Sequence, residues 1–96
     1  MPEKTEVVPP RNVNAREAVQ IATDYFAVLF HLPATDIAPE EIERTDDGKY
    51  WLITLGYTLP RPGGFAAAMG GGTRAYKIIK IDAYTGEPLS MKVRKL

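Results

Sequence analysis

The chain contains no cysteine, one histidine and one tryptophan, and its 12 basic and 12 acidic residues cancel to a formal net charge of zero. Without cysteine, neither a disulfide framework nor a thiolate zinc site can form. Zero net charge gives no overall attraction to nucleic acid or to an anionic membrane. No apolar run approaches the roughly 20 residues of a membrane span, and the first residues lack a signal-peptide pattern. We therefore expect no membrane span and no export signal, while the cellular compartment stays open.

The stretch 49–59, KYWLITLGYTL, has the strongest pattern in the chain. Its large apolar side chains alternate and share one face of an extended strand: Trp51, Ile53, Leu55, Tyr57 and Leu59. The opposite face is smaller and more polar: Tyr50, Leu52, Thr54, Gly56 and Thr58. An apolar face backed by a half-polar one predicts an antiparallel sheet that is covered on one side.

A pattern with helical spacing follows Asn14. Asn14 offers an N-cap and Glu17 completes a capping box, while Pro33 forbids continuation, so we predict a helix from Asn14 to about Leu32. One side of that helix is apolar: Ala18, Val19, Ala22, Tyr25, Phe26 and Leu29. Further apolar residues at its margins widen the stripe. We favour packing of these margins under loops over a contact with another chain.

The remaining residues are arranged around this strand and this helix. We predict an N-terminal arm at 1–12 and a single domain at 13–96. Within the domain we predict a connector at 33–39, a weak strand at 40–45, a tight turn at 46–48, a long glycine-rich loop at 60–72, and strands at 74–83 and 89–94. The helix must bury its stripe on the sheet. The sequence therefore predicts an α+β fold in which one amphipathic helix packs on one face of a three- to four-stranded antiparallel sheet.

Two of these strands carry further information on which face is buried. In the strand at 74–83 the phase is ambiguous, because Tyr76 and Ile78 point one way while Ile79 and Ile81 point the other. In the last strand the apolar residues alternate with polar ones, which predicts that they are buried: Leu89, Met91 and Val93.

Three features of the sequence occur together: spaced alanines in the helix after Asn14, an acidic-glycine turn before a Trp-bearing strand (46–51, DDGKYW), and a closing turn (82–87, DAYTGE). In these features the chain resembles the PepSY domain family of peptidase propeptides and related proteins. The resemblance covers roughly residues 14–91. It implies one helix across an antiparallel sheet and a non-catalytic role, inhibitory, chaperone-like or protein-binding. Members of this family are often exported or membrane-tethered.

Few side chains have a pattern that indicates chemistry. His31 lies near the predicted end of the helix, where a solvated histidine complements the helix dipole. An acidic cluster matches no calcium-loop spacing and is interpreted as a solvated edge: Asp36, Glu40, Glu41, Glu43, Asp46 and Asp47. A metal- or ligand-binding sensor that uses this edge is the alternative. The C-terminal hairpin is basic, but with zero net charge we expect no nucleic-acid binding. We predict no catalytic residue, no metal site, no cofactor and no enzymatic activity.

The leading functional hypothesis is a protein-binding or regulatory module, including a peptidase-inhibitory one, whose partner is another protein or a second copy. The partner would contact the half-polar sheet face, the tip of the glycine-rich loop, or both. The candidate partner-binding residues are Tyr50, Leu52, Phe65, Met69, Tyr76 and Ile78. A structural domain that self-associates through the open sheet face is a further alternative.

Overall fold

The computed structural model describes residues 12–31, 34–60 and 72–95. These residues form one helix and four strands in the order α1 (Ala15–Leu29), β1 (Thr35–Arg44), β2 (Tyr50–Pro60), β3 (Gly72–Asp82) and β4 (Pro88–Val93). The strands make one antiparallel sheet in the order β1-β2-β3-β4, so each strand pairs with its neighbour in sequence. The helix packs on one face of this sheet. The predicted α+β fold is therefore confirmed.

The core lies between α1 and the sheet face that carries the odd-numbered residues of β2 and β3. Its buried side chains come from the helix, from β2, from β3 and from the segment before the helix: Val13, Ala18, Ala22, Phe26, Ile53, Leu55, Tyr57, Ile79 and Ile81. Phe26 stacks on Phe30 with ring centroids 4.7 Å apart, and Tyr57 lies 4.9 Å from Phe26. This aromatic cluster fixes the C-terminal half of α1 over the middle of the sheet.

The segment before the helix is attached to the sheet by polar contacts. The indole Nε1 of Trp51 donates to the Val13 carbonyl at 2.8 Å, and the Val13 amide donates to the Ala83 carbonyl at 2.8 Å. The helix then starts with the predicted capping box, in which the Glu17 amide donates to Asn14 Oδ1 and the Asn14 amide donates to Glu17 Oε1. Sequence and tertiary contacts thus agree on where α1 begins.

The two predicted turns form where a positive φ is available. Gly48 has φ 73° in the turn between β1 and β2, and Gly86 has φ 80° in the turn between β3 and β4. Asp47 accepts a hydrogen bond from the Lys49 amide, and Asp82 accepts from the amides of Tyr84 and Thr85. These short contacts set the registers of the two hairpins.

The element bounds differ from the predicted ones in three places. The helix ends at Leu29, three residues before the predicted end, because Phe30 takes an extended conformation and turns its ring onto the aromatic cluster. Strand β1 starts at Thr35, inside the predicted connector, because it is held by its ladder with β2 and not by an apolar pattern of its own. The ends of the predicted loop, Pro60 and Gly72, pair with each other as parts of β2 and β3.

The predicted burial of the last strand is wrong at two of its three apolar positions. Met91 packs against the core, whereas Leu89 is 43% exposed and Val93 is 65% exposed. Met91 and Val93 stand opposite Ile79 and Lys77 on the helix side of β4, as the alternation predicts, whereas the register with β3 shifts at Leu89. The helix contacts β4 as well as β2 and β3, but it leaves the side chains of Leu89 and Val93 exposed.

Candidate protein-binding surface

The sheet face opposite α1, called here the outer face, carries the even-numbered residues of β2 and β3. The register places Leu52 opposite Lys80, Thr54 opposite Ile78 and Gly56 opposite Tyr76. Four of the six predicted partner-binding residues therefore lie on this one face: Tyr50, Leu52, Tyr76 and Ile78. Each of the four is half-buried, and no described element lies over them as a second layer. The ambiguous phase of β3 is resolved, since Ile79 and Ile81 are buried on the helix side.

A cation lies over the aromatic residue at one end of the outer face. The Lys80 ammonium lies 4.2 Å from the centroid of the Tyr50 ring. This distance is within the range of a cation–π interaction, and Lys80 also stands opposite Leu52 in the ladder. The Tyr50 ring is thus paired with a cation, which gives this end of the outer face both aromatic and positive character.

Two arginines cross the opposite end of the outer face. Arg94, just after β4, forms an ion pair with Glu41 of β1 and donates to Thr54 Oγ1 of β2 at 3.0 Å. Arg74 of β3 pairs with Glu40 of β1 at 2.6 Å, and this carboxylate raises the pKa of Arg74. Arg74 links β1 to β3, and Arg94 links β1 to the end of β4. The aliphatic parts of both side chains cover part of the outer face. The sequence analysis did not predict these cross-sheet contacts.

A shallow depression of about 240 Å³ lies between these crossing side chains. Its lining combines an ion pair, a hydroxyl and an aromatic ring: Glu40, Glu41, Thr54, Tyr76 and Arg94. The lining carboxylates and the guanidinium are already paired within the chain. The depression therefore gives the outer face a concave area with hydrogen-bonding groups. Among its lining residues, no nucleophile is placed beside a base.

The charges of the outer face are divided between its two sides. β1 contributes the carboxylates of Glu41 and Glu43, which stand opposite Thr54 and Leu52. The other side of the sheet contributes cations: Lys80, Lys92 and Arg94. The acidic edge that the sequence indicated is therefore one border of the outer face. Arg74 and Arg94 reach across the face to two of its carboxylates, so Lys80 and Lys92 are the cations that remain toward the other border. Such a division orients a partner that approaches the face.

The remaining predicted site residues lie elsewhere. Phe65 and Met69 lie outside the described residues. His31 is exposed just beyond the end of α1. Among residues 12–31, 34–60 and 72–95, no group of three or more histidines and carboxylates is placed to hold a metal ion. The sensor that uses the acidic edge stays a prediction without support from this geometry.

Two carboxylates with shifted pKa values belong to the turns. A hydrogen bond from the Thr45 hydroxyl, followed by one from the Lys49 amide, lowers the pKa of Asp47. Backbone hydrogen bonds from Thr85 and Tyr84 lower the pKa of Asp82. Both groups stabilise their turns as carboxylates. The hydrogen bonds within the two turns account for both pKa shifts, so neither shift marks a candidate catalytic group.

Comparison with known proteins gives no family and no relative. No family model, curated protein or solved structure matches this chain. In the described part of the chain, α1 is too short and too polar to cross a bilayer, and there is no other helix. The function must therefore be inferred from the outer face itself.

Proposed function

We propose that this protein is a non-catalytic protein-binding module that takes its partner on the outer face of the sheet. The regulatory role, including peptidase inhibition, is the one that the PepSY resemblance implies, and it belongs to the same proposal. The binding role has independent support in the contacts of the outer face, and the regulatory role rests on the resemblance alone.

The observation that carries the proposal is the continuous group of two tyrosines and two aliphatic residues on the outer face. Tyr50, Leu52, Ile78 and Tyr76 lie on adjacent strands of the ladder, half-buried by their neighbours and uncovered by any described element. Tyrosine is enriched at protein interfaces because it offers apolar area together with a hydroxyl and loses little side-chain entropy. Apolar area gathered on one sheet face is more typical of an interaction site than of a solvated back.

A second property of the outer face suits it to recognition. Its β1 border carries Glu40, Glu41 and Glu43, two of which are paired by Arg74 and Arg94 across the face, and its β4 border carries Lys92, so charged residues surround the apolar group. An apolar centre within a charged rim is the usual arrangement of a protein interface. The charges of the rim favour one orientation of a bound partner, whereas a purely apolar face would favour none.

The experiment compares capture of partner proteins by three tagged forms of the chain from an extract of its native source. The forms are the wild type, the outer-face variant Tyr76→Ser/Ile78→Ser, and the control Val28→Ser, which changes a side chain on α1 that is 72% exposed. We expect the wild type and the control to recover the same partner and the outer-face variant to lose it. Circular dichroism and thermal melting establish that all three forms are folded.

Equal recovery by the outer-face variant and the wild type contradicts the proposal. Loss of the partner in the Val28→Ser control instead would place the contact on the helix side of the domain. Addition of the purified partner to the free domain, followed by calorimetry, then gives the affinity for each form. We expect at least a tenfold weaker affinity for the outer-face variant, because it removes two central apolar contacts.

A further inference from the structure

The two edge strands of the sheet differ in how well they suit the addition of a further strand. Strand β1 contains Pro39, which has no backbone N–H, and its pairing with β2 shifts register twice. Asp36, near the start of β1, also has a φ of 52°. Strand β4 pairs with β3 without a shift from Ser90 to Val93, and it contains no proline after Pro88. The edge of β4 is therefore the more regular of the two, while β1 has the irregularities that protect an edge.

The backbone groups on the free edge of β4 belong to Met91 and Val93. The Arg94 amide donates to the Tyr76 carbonyl at 3.0 Å, so the backbone of Arg94 faces β3. Residues of an antiparallel pair alternate between hydrogen-bonded and non-hydrogen-bonded positions. The backbone groups of Lys92 therefore also face β3, while the N–H and C=O groups of Met91 and Val93 point away from the sheet. Within the described residues, nothing bonds to these outward groups.

The side chains beside this edge are apolar on one face of the sheet and basic on the other. On the helix side, Met91 packs against the core and Val93 is 65% exposed. Lys92 stands opposite Ile78 and so lies on the outer face, where it is exposed. In an added strand, residues directly opposite Met91 and Val93 would share the helix side, and the residue between them would lie beside Lys92. The edge therefore suits a strand in which apolar side chains alternate with acidic ones.

The charge of the hairpin formed by β3 and β4 supports the same choice. Residues 72–95 contain six basic side chains and two acidic ones: Arg74, Lys77, Lys80, Lys92, Arg94 and Lys95 against Asp82 and Glu87. Arg74 and Arg94 are paired with carboxylates of β1. Lys92 and Lys95 are exposed and have no carboxylate partner in the part of the chain that the structure describes. An acidic side chain beside β4 would therefore meet unpaired cations.

A second copy of this chain fits the edge less well than another protein does. Two paired β4 edges would bring Lys92 and Lys95 of both copies together, and like charges across a strand pair are destabilising. Strand β1 of a second copy would offer Glu41 and Glu43 on either side of Ile42. A contact from β1 to β4 does not close on itself, however, and would extend into a fibre. The charges and the free backbone groups thus favour an acidic segment of another protein.

We propose that the free edge of β4 binds an extended segment of another protein in which apolar and acidic residues alternate. The segment adds a strand to the sheet: its backbone bonds to Met91 and Val93, its apolar side chains contact Val93, and an acidic side chain pairs with Lys92. The contact is short, so the binding is weak. The β4 edge lies beside the outer face but is a separate surface, and this inference goes beyond the proposed function without depending on it.

The test is an NMR titration of the isotope-labelled full chain with a synthetic eight-residue peptide in which valine and glutamate alternate and both ends are blocked. We expect chemical-shift changes concentrated on β4 and slower hydrogen exchange of the Met91 and Val93 amides, because these amides become donors to the added strand. Two control peptides isolate the two contributions. One replaces glutamate by lysine, and the other carries methyl groups on the valine backbone nitrogens. Each should bind about tenfold more weakly, because one loses the charge pairs and the other loses its donors.

Variants of the chain test the same contacts from the other side. Val93→Pro removes an outward N–H without removing a hydrogen bond to β3, and it should weaken binding of the valine–glutamate peptide about tenfold. The matched control is Ile42→Pro on the edge of β1. The Thr45 amide donates to the Tyr50 carbonyl, so by the same alternation the Ile42 amide points away from β2, and its loss should leave binding unchanged. Lys92→Glu should weaken binding of the glutamate peptide and strengthen binding of the lysine peptide.

Several results would overturn the inference. They are no binding of the valine–glutamate peptide at millimolar concentration, equal binding of the lysine peptide, and equal binding of the methylated peptide. If circular dichroism shows that Val93→Pro is unfolded, Lys92→Glu and the methylated peptide decide the question, since both leave β4 intact. Oligomers of the wild type that Lys92→Glu dissolves would place β1 of a second copy on this edge and overturn the choice of partner.

The proposed function is tested separately. The outer-face variant Tyr76→Ser/Ile78→Ser should bind the valine–glutamate peptide as the wild type does, because the peptide contacts β4 and not these side chains. Loss of peptide binding in this folded variant would place the peptide on the outer face and overturn the inference.

Discussion

Substitution of Phe26 by alanine tests whether the helix closes the inner face of the sheet, which leaves the outer face as the open one. Phe26 is 2% exposed and lies within 5 Å, by ring centroids, of both Phe30 and Tyr57. A buried phenylalanine covers about 150–250 Å², and at about 25 cal/mol per Å² its removal costs about 4–6 kcal/mol. Measured Phe→Ala losses of about 3–5 kcal/mol include the cavity left behind. We expect Phe26→Ala to lose about 4 kcal/mol.

This loss is a large part of the stability of a domain of this size. At about 0.05–0.15 kcal/mol per residue, the 96-residue chain has a free energy of unfolding of about 5–14 kcal/mol. Urea unfolding followed by Trp51 fluorescence and by circular dichroism gives the free energy of unfolding for the wild type and the variant. The matched control is Val28→Ala on the same helix, where the side chain is 72% exposed and we expect a change within about 0.5 kcal/mol.

A double-mutant cycle refines the same test. Replacement of Phe26 and Tyr57, singly and together, measures the coupling of the two rings, for which we expect about 0.5–1.5 kcal/mol. The reasoning is refuted if Phe26→Ala costs no more than Val28→Ala, since the helix would then not be packed on the sheet through this ring. A loss of about 4 kcal/mol for Phe26→Ala without coupling between Phe26 and Tyr57 would show that the helix packs on the sheet but that its position along β2 differs.

Three further outcomes follow from the described contacts. Gly86→Ala should lose about 1–2 kcal/mol of unfolding free energy, because φ at Gly86 is 80°, and no loss would contradict that conformation. The pKa of Asp82 is lower in the folded than in the unfolded state, so this carboxylate stabilises the fold above about pH 4, and the stabilisation is lost as the pH falls through the folded-state pKa. Asp82→Asn should therefore make the free energy of unfolding fall less steeply at acid pH. An unchanged acid dependence would contradict the lowered pKa. Arg94→Ala should cost about 1 kcal/mol, because the partly exposed Arg94 bonds both Glu41 and Thr54, and the loss should shrink in 1 M salt; a salt-independent loss would indicate packing alone.

Local patterns in the sequence were sufficient for the helix, the central strands and the turns. The alternation in β2 identified its buried face, and the capping box at Asn14 and the glycine at position 48 placed an element start and a turn. These features depend on neighbours within a few residues. An apolar pattern that repeats every two residues in a strand or every 3.6 residues in a helix, together with local turn and cap residues, therefore predicts these features well.

Features that depend on distant residues could not be predicted in this way. Strand β1 is polar, contains Pro39 and has no buried residue, so only its pairing with β2 reveals it. The alternation in β4 shows which side Val93 faces but not that the helix stops short of covering it. The crossing of the outer face by Arg94 joins residues 53 positions apart, which no local pattern encodes.

The same limit applies to the candidate site. The sequence gathered Tyr50, Leu52, Tyr76 and Ile78 onto one face because the period of a strand assigns faces, and the ladder places them there. It did not show that Lys80 covers Tyr50, or that the acidic and basic segments form opposite borders of that face. Strand order, which only the folded chain defines, brings the two charge runs to one face and pairs Arg74 and Arg94 with Glu40 and Glu41.

Site-specific photo-crosslinking tests the central claim most directly. A benzoylphenylalanine at position 76, on the outer face, is compared in native cells with one at position 28, on the exposed side of α1. The account predicts adducts with a protein, a second copy or another chain, from position 76 and none from position 28. Adducts from position 28 alone, or in equal yield from both positions, would contradict it.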